Sequence, residues 1–337
     1  MIHARQLSRT FTSGKQTVHA VRGIDLDIAA GELVAVLGPN GAGKSTTLRM
    51  LTSLLPPTSG TAQVAGVQVT DDPAGVRARI GYVGQKDGAG HNYRVADELH
   101  MQGRFYGLDR ATARQRTHEL LNTLDLTGMG MRKVSTLSGG QKRRLDIALG
   151  LVHSPDLLFL DEPTTGMDPQ SRANLWEHIA RLRERRGTTI VVTTHYLEEA
   201  DAMAERVVVV DHGRIIADDT PARLKNDLAG DHLDVDVAGP QVGAARAVLE
   251  RFSDEVGESR GDGELVGDAG LPGVDLPEAG VTRLRARVAS GPRALPQVVR
   301  ALTDSGVDVL AATSHQPTLD DVFLALTGRS LREGADA

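Results

Sequence analysis

The amino-acid sequence predicts an α/β protein with a small α+β domain appended on its C-terminal side. Three observations carry that prediction. The runs Leu33–Leu37, 157–160 and Thr189–Thr194 are almost wholly apolar or β-branched, the character of strands buried on both faces beneath helices. Segments with helical spacing of leucines alternate with those runs. After Ala229 the composition shifts, and strand and helix patterns recur without a glycine-rich turn like the one that follows Leu37. At 337 residues the chain has room for two domains, each with its own core.

Taken in order, residues 1–30 alternate polar and apolar positions, ending in Ile24-Asp25-Leu26-Asp27-Ile28, the period of antiparallel strands with one wet face. The strand Leu33–Leu37 then delivers Gly38-Pro39-Asn40-Gly41-Ala42-Gly43-Lys44-Ser45-Thr46, which fits the phosphate-binding pattern G-x-x-x-x-G-K-[ST]. Gly38, Gly41 and Gly43 tolerate backbone angles that aim successive amide N–H groups at phosphate oxygens. Lys44 is expected to reach the β- and γ-phosphates, and the Ser45 hydroxyl to complete a Mg²⁺ shell. Residues 45–55 read as a helix through Leu48, Leu51 and Leu55, stopped by Pro56-Pro57, with its positive end on the phosphates. Nucleotide binding is therefore the first functional expectation. Phe11, upstream, offers an aromatic ring either to stack on an adenine base or to pack in the ordinary way.

Strand patterning continues over 61–70, and Asp72-Pro73 opens a short helix to about Ala78 with a cap and a proline at its first position. Ile80–Val83 is a strand that delivers Gln85 into a loop, and 86–92 is polar and glycine-rich, hence expected to be mobile. Residues 94–135 read as helices. Leu137-Ser138-Gly139-Gly140-Gln141 follows, with Ser138 at a helix N-cap; two adjacent glycines leave a hydroxyl and free backbone N–H groups facing outward, a second anion-binding turn. An arginine-rich helix continues through Leu149.

The apolar strand at 157–160 ends in Asp161-Glu162, which places two acids at the carboxyl edge of the sheet, beside the glycine-rich turn. Asp161 is suited to holding Mg²⁺ through water and Glu162 to polarising an attacking water, against the plainer alternative of a solvated pair capping a strand. Asp168-Pro169 starts a helix that buries Leu175, Ile179 and Leu182 and closes at Gly187, so the arginine-rich run 183–186 is a solvated helix end. His195 stands at the end of Thr189–Thr194, where it can touch a γ-phosphate.

Composition narrows the remaining classes. The net charge of −6 and pI of about 6.0 argue against a general nucleic-acid surface, so no nucleic acid is expected as a partner. There is no cysteine, which rules out disulfides, zinc–thiolate sites and a thiol nucleophile. Residues 1–10 lack the apolar core of a signal peptide, and no stretch approaches the apolar length of a membrane helix, so the chain is expected to be soluble in itself.

Together these residues resemble the ATP-binding cassette (ABC) ATPases. The markers stand in family order: the P-loop at 38–46, Gln85, the LSGGQ signature Leu137 to Gln141, the acids ending in Glu162, and His195. Thr165-Gly166-Met167-Asp168 is similar to the family's D-loop, with Met where Leu is more usual. The resemblance spans residues 1–228. It implies an ABC nucleotide-binding domain with a mixed sheet core, an antiparallel β subdomain and an α-helical subdomain over about 87–150. It also implies ATP and Mg²⁺ as cofactors, with Ser45, Gln85 and Asp161 at the metal, and catalytic parts for Lys44, Glu162, His195 and Gln85. Two chains would pair as a homodimer, with Ser138, Gly139, Gly140 and Gln141 of each reaching its partner's ATP. Phe11 would be the adenine-stacking residue. Gln85 would join ATP to a separately encoded transmembrane permease, although the polar, glycine-rich 86–92 prevents carrying over the docking surface residue by residue.

Residues 229–337 form the expected α+β accessory domain: strand-like at 233–237, 281–289 and 307–312, helical at 241–252 and 292–303, and ferredoxin-like in this alternation. A Gly/Pro/Asp-rich connector fills 261–280. The ending Leu319-Asp320-Asp321-Val322-Phe323-Leu324-Ala325-Leu326-Thr327-Gly328 resembles the tail of daunorubicin-resistance-type drug-export ATPases, as does 194–200; it also reads as an amphipathic helix that packs on the accessory domain. The expectation is the ATPase subunit of an exporter of a small hydrophobic compound, peripheral on the cytoplasmic face of the cell membrane. An importer ATPase, a soluble non-transport ABC ATPase and a non-hydrolysing nucleotide switch are the alternatives. A single cassette, and too short a span between Thr46 and Leu137 for a long coiled coil, count against the soluble classes, and the intact Glu162 and His195 against the switch.

Overall fold

The structure, a computed structural model, describes residues 1–14, 16–253, 255–260, 280–288 and 290–328. The described residues up to Pro221 form one compact unit and those from Ala222 onward a second. The division falls after Pro221 rather than after Leu228, because the turn at Lys225–Ala229 contacts the last helix of the second unit.

In the first unit, β1 (Ile2–Ser13) and β2 (Gln16–Ile28) pair antiparallel from Ile2↔Ile28 to Ser13↔Gln16. Their period of two buries Ile2, Ala4, Ile24, Leu26 and Ile28 and leaves His3, Arg5 and Asp27 to hydrogen-bond on the wet face. All five residues of β3 (Leu33–Leu37) are buried. Helix α1 (Lys44–Leu51) stops short of Leu55, the end that helical spacing suggests, since Ser53 adopts a left-handed backbone with φ 57°. β4 (Ser59–Val64) and β5 (Val67–Gln68) complete an antiparallel sheet in the order β2-β1-β4-β5. Asp72 caps α2 (Pro73–Arg79) by accepting the Gly75 N–H at 2.7 Å, and β6 (Ile80–Val83) follows.

A helical layer is made by α3 (Val95–Phe105), α4 (Arg110–Thr123) and α5 (Gly139–Leu151). The chain then runs through β7 (Leu157–Asp161), α6 (Pro169–Arg186), β8 (Thr189–Thr194), α7 (Leu197–Met203), β9 (Arg206–Asp211) and β10 (Arg214–Asp219). The second sheet has the order β10-β9-β3-β8-β7-β6 and is parallel throughout except at β10. One consequence positions everything below. The carboxyl ends of β3, β6, β7 and β8 share an edge, so Gly38, Gln85, Glu162 and His195 leave the sheet on the same side.

A short helix α8 (Pro221–Leu224) spans the division between the units. The second unit runs β11 (Asp231–Ala238), α9 (Val242–Leu249), β12 (Val256–Arg260), β13 (Val281–Val288), α10 (Gly291–Asp304), β14 (Val309–His315) and α11 (Leu319–Thr327). This β-α-β-β-α-β order, with an antiparallel sheet β12-β13-β11-β14, is the ferredoxin-like arrangement. Leu233, Val235, Val237, Leu284 and Ala286 form its core with Leu249, Val298 and Leu302. The alternate positions of β11 and β13 carry paired ions, Asp234 with Arg285 and Asp236 with Arg283. Helix α11 buries Leu319, Val322 and Phe323. Apart from Gly280, the connector at 261–280 lies outside the described residues. Among the described residues no helix is long and apolar enough to cross a membrane.

Candidate functional site

The turn between β3 and α1 wraps a cavity of about 290 Å³, lined by residues 39–46 together with Ala20, Gln85 and Glu162. Glycine is required at its two ends. At Gly38 (φ 158°) a Cβ would run into the Val210 carbonyl oxygen, and at Gly43 (φ 106°) it would lie 2.5 Å from that of Ala20. Lys44 is buried, and its ammonium donates to Gly38 O at 2.6 Å and Pro39 O at 3.1 Å. Its Nζ stands 3.6 Å from Glu162 Oε1. Burial pulls the Lys44 ammonium below the usual lysine value, while Glu162 and Asp161 act in the opposite direction.

Asp161 ends β7 fully buried and gathers hydroxyls about its carboxylate. Ser45 Oγ donates to Oδ1 at 2.8 Å and Thr193 Oγ1 at 2.7 Å, with the Tyr82 hydroxyl 3.5 Å from Oδ2. Gln85 Nε2 donates to Ser45 Oγ at 3.2 Å, so Gln85, Ser45 and Asp161 form one chain of contacts. The next residue, Glu162, is left-handed (φ 46°). Its N–H is shared between Thr193 Oγ1 at 3.0 Å and Thr193 O at 3.2 Å. That backbone turn swings its carboxylate toward Lys44 and His195, whose Nδ1 lies 3.5 Å from Oε2. His195 Nδ1 has no hydrogen-bond partner among the described residues.

The structure thus gathers Lys44, Ser45, Gln85, Asp161, Glu162 and His195. It leaves Phe11 and the 138–141 turn outside the cavity lining. Phe11 is 39% exposed on β1, with the Arg9 guanidinium 4.8 Å from its ring centre. Ser138 is exposed at the N-cap of α5 in a full capping box: its Oγ accepts the Gln141 N–H, and Gln141 Oε1 accepts the Ser138 N–H. The loop after Gln85, which composition marks as mobile, is instead fastened to α5. Gly84 O accepts from Arg143 Nη1 at 2.6 Å, Asp87 faces Lys142 at 3.6 Å, and the Gly88 N–H donates to Asp146 Oδ1 at 2.9 Å.

Sequence reasoning did not single out Thr193, Tyr82, Ala20 or Arg143. Thr193 had a signal, being one of two hydroxyls that follow the apolar Ile190-Val191-Val192 at the carboxyl end of its strand. Arg143 had none, since its partners lie in segments remote from it in the chain.

The mostly parallel sheet, the glycine-bounded loop with its buried lysine, and two acids at the neighbouring strand end define a P-loop nucleotide-hydrolysing domain. Residues 21–165 match the family described as ABC transporter. Over 309 residues the chain is 44% identical to the daunorubicin resistance ATP-binding protein DrrA2 of Streptomyces coeruleorubidus, covering 92% of this chain and 90% of that protein. It is 36% identical to the Nod factor export ATP-binding protein I of Ralstonia nicotianae, covering 95% of this chain and 92% of that one. Among solved structures it is similar, with a TM-score of 0.61 and 26% identity, to an ATP-binding cassette determined as a dimer in a post-hydrolysis state with ADP and Pi; that match covers 65% of this chain and 98% of the other. The chain belongs to the ABC transporter ATPases, and it is an ATP-binding, ATP-hydrolysing subunit of that family.

Proposed function

We propose that this ATPase drives export of a small hydrophobic compound, of the drug or antibiotic kind, through a separately encoded permease on whose cytoplasmic face it sits. The observation that carries the chemistry is the meeting of Lys44, Ser45, Gln85 and Glu162 around one cavity at the carboxyl edge of the sheet, with Asp161 hydrogen-bonded to Ser45 behind them. Export of a hydrophobic compound is supported by the relatives named for daunorubicin resistance and Nod factor export.

In this reading Lys44 and the N–H groups of residues 39–46 hold the phosphates, and Phe11 presents its exposed ring to the adenine. The hydroxyl of Ser45, the carboxylate of Asp161 and the amide oxygen of Gln85 form an all-oxygen donor set that suits Mg²⁺, which would neutralise charge on the phosphates. Glu162 orients the attacking water, and His195, whose Nδ1 faces Glu162, aligns the γ-phosphate. Ser138 and the glycines after it complete the site of a second copy, so the working form is a homodimer. The second unit serves partnership and not nucleotide chemistry.

Glu162→Gln is the direct test, since it keeps size and hydrogen bonding while removing the charge. Two chains should then remain closed around ATP in size-exclusion chromatography with light scattering, and adding Ser138→Arg should prevent pairing while ATP still binds. A Glu162→Gln protein that stays monomeric when saturated with ATP overturns the self-sufficient dimer.

A further inference from the structure

Arg143 is 7% exposed, and its guanidinium is bound almost wholly by backbone. Nη1 donates to Gly84 O at 2.6 Å, Nε to Pro163 O at 2.8 Å, and Nη2 to Asp161 O at 3.2 Å. The nearest carboxylate, Asp146, is 4.0 Å away. These three carbonyls belong to two segments that leave the neighbouring strands β6 and β7. One leads directly into Gln85, and the other brackets Glu162. The β6–β7 ladder ends at Val83↔Leu160, and beyond that last rung the planar fork of the guanidinium ties Gly84 to Asp161 and Pro163. Desolvating a cation is costly unless its donors are met, so this arrangement holds Gly84, Asp161 and Pro163 in place as firmly as it holds the arginine. Neighbouring residues act in the same sense: Lys142 faces Asp87, and Asp146 accepts the Gly88 N–H.

We propose that Arg143 is a positioning residue that sets the separation between Gln85 and Glu162 and joins both, through α5, to Ser138. The part concerning Ser138 rests on the dimer proposed above. Ser138 caps the same helix, five residues before Arg143, a rise of about 7.5 Å within one rigid rod. A force on Ser138 from the partner's nucleotide is therefore delivered to Gly84 and to the turn at Asp161 and Pro163 at once. Each site is informed that the other is filled.

The experiment uses the full chain with ATP and Mg²⁺. Arg143→Met keeps the apolar stem and removes every donor, while Arg143→Gln restores two N–H groups. For Arg143→Met, a misplacement of order 1 Å in the catalytic groups should lower kcat about 10- to 100-fold. KM for ATP should stay within about threefold, because the P-loop is untouched. Amide hydrogen exchange should quicken in 84–88 and remain unchanged in 38–46. The sigmoidal dependence of rate on ATP expected of the proposed dimer should flatten, and Arg143→Gln should recover part of each loss. Should Arg143→Met fail to fold, Arg143→Lys, whose single ammonium cannot span three carbonyls, takes its place with the same expectations. A folded variant with wild-type kcat overturns the proposal. So does a variant whose kcat and ATP affinity fall together without recovery in Arg143→Gln, the pattern of a merely structural arginine. If the wild type hydrolyses ATP without pairing, the dimer and the link to Ser138 fall, and kcat with exchange at 84–88 decides the positioning role by itself.

Discussion

Thr193→Val isolates one hydroxyl that serves both acids of the site. Thr193 is fully buried, and its Oγ1 donates to Asp161 Oδ1 at 2.7 Å while accepting the Glu162 N–H at 3.0 Å. Valine keeps the shape and removes both bonds. Asp161 Oδ1 retains the Ser45 hydroxyl, and the Glu162 N–H retains Thr193 O, so neither group is orphaned. The principal loss is a hydrogen bond to a charged acceptor, about 2 kcal/mol. For a unit of this size that corresponds to a fall in Tm of about 4–8 °C. The functional effect should be larger. Glu162 is held left-handed at φ 46°, a backbone state that itself costs about 1–3 kcal/mol, and the Thr193 hydroxyl helps to hold it there. Relaxation by about 1 Å would lower turnover up to about 100-fold with ATP affinity nearly unchanged. Calorimetry, phosphate-release kinetics and a nucleotide titration measure the three quantities. A variant that melts and turns over like the wild type would refute the idea that this hydroxyl sets the geometry of the acids.

Lys44→Ala removes the buried ammonium and should abolish binding of a fluorescent ATP analogue; an unaltered titration contradicts the assignment of the loop. His195→Ala should bind ATP normally and hydrolyse it more slowly, and a wild-type rate would dismiss the role given to its ring. Burial raises the Asp146 carboxyl above the usual aspartate value, so its contribution to stability is present below the unfolded value and lost as pH rises through the folded one. Asp146→Asn keeps an acceptor for the Gly88 N–H, and its stability relative to wild type should therefore increase as pH rises above the usual aspartate value in urea unfolding. A difference independent of pH would count against the buried-charge explanation.

What could be read from the sequence was local. The loop at 38–46, the caps at Asp72, Ser138 and Asp168, and the buried strands all depend on residues adjacent in the chain, and the structure contains each of them. What escaped was held from afar. β12 (Val-Gly-Glu-Ser-Arg) has no apolar alternation and is a strand because it pairs with β13. The loop after Gln85 is composed like a mobile segment, yet Lys142 and Asp146 fasten it, and Arg143 the residue before Gln85, from a helix more than fifty residues away. The ferredoxin-like alternation was legible after Ala229, but its strand order needed the register of β11 against both β13 and β14.

The capping box at Ser138 gives that turn a chemical polarity. Its Oγ already accepts the Gln141 N–H, so the hydroxyl proton remains to be offered outward. The N–H groups of Gly139 and Gly140, at the first turn of α5, have no partner within the helix. The Ser138 hydroxyl and these two N–H groups thus leave this corner rich in donors. An oxyanion would find several donors there. The ionised phosphates of a nucleotide held at 38–46 present the complementary chemistry, acceptor oxygens. In the proposed homodimer each chain would therefore carry both halves of the contact, its own signature turn meeting the nucleotide held by its twofold partner.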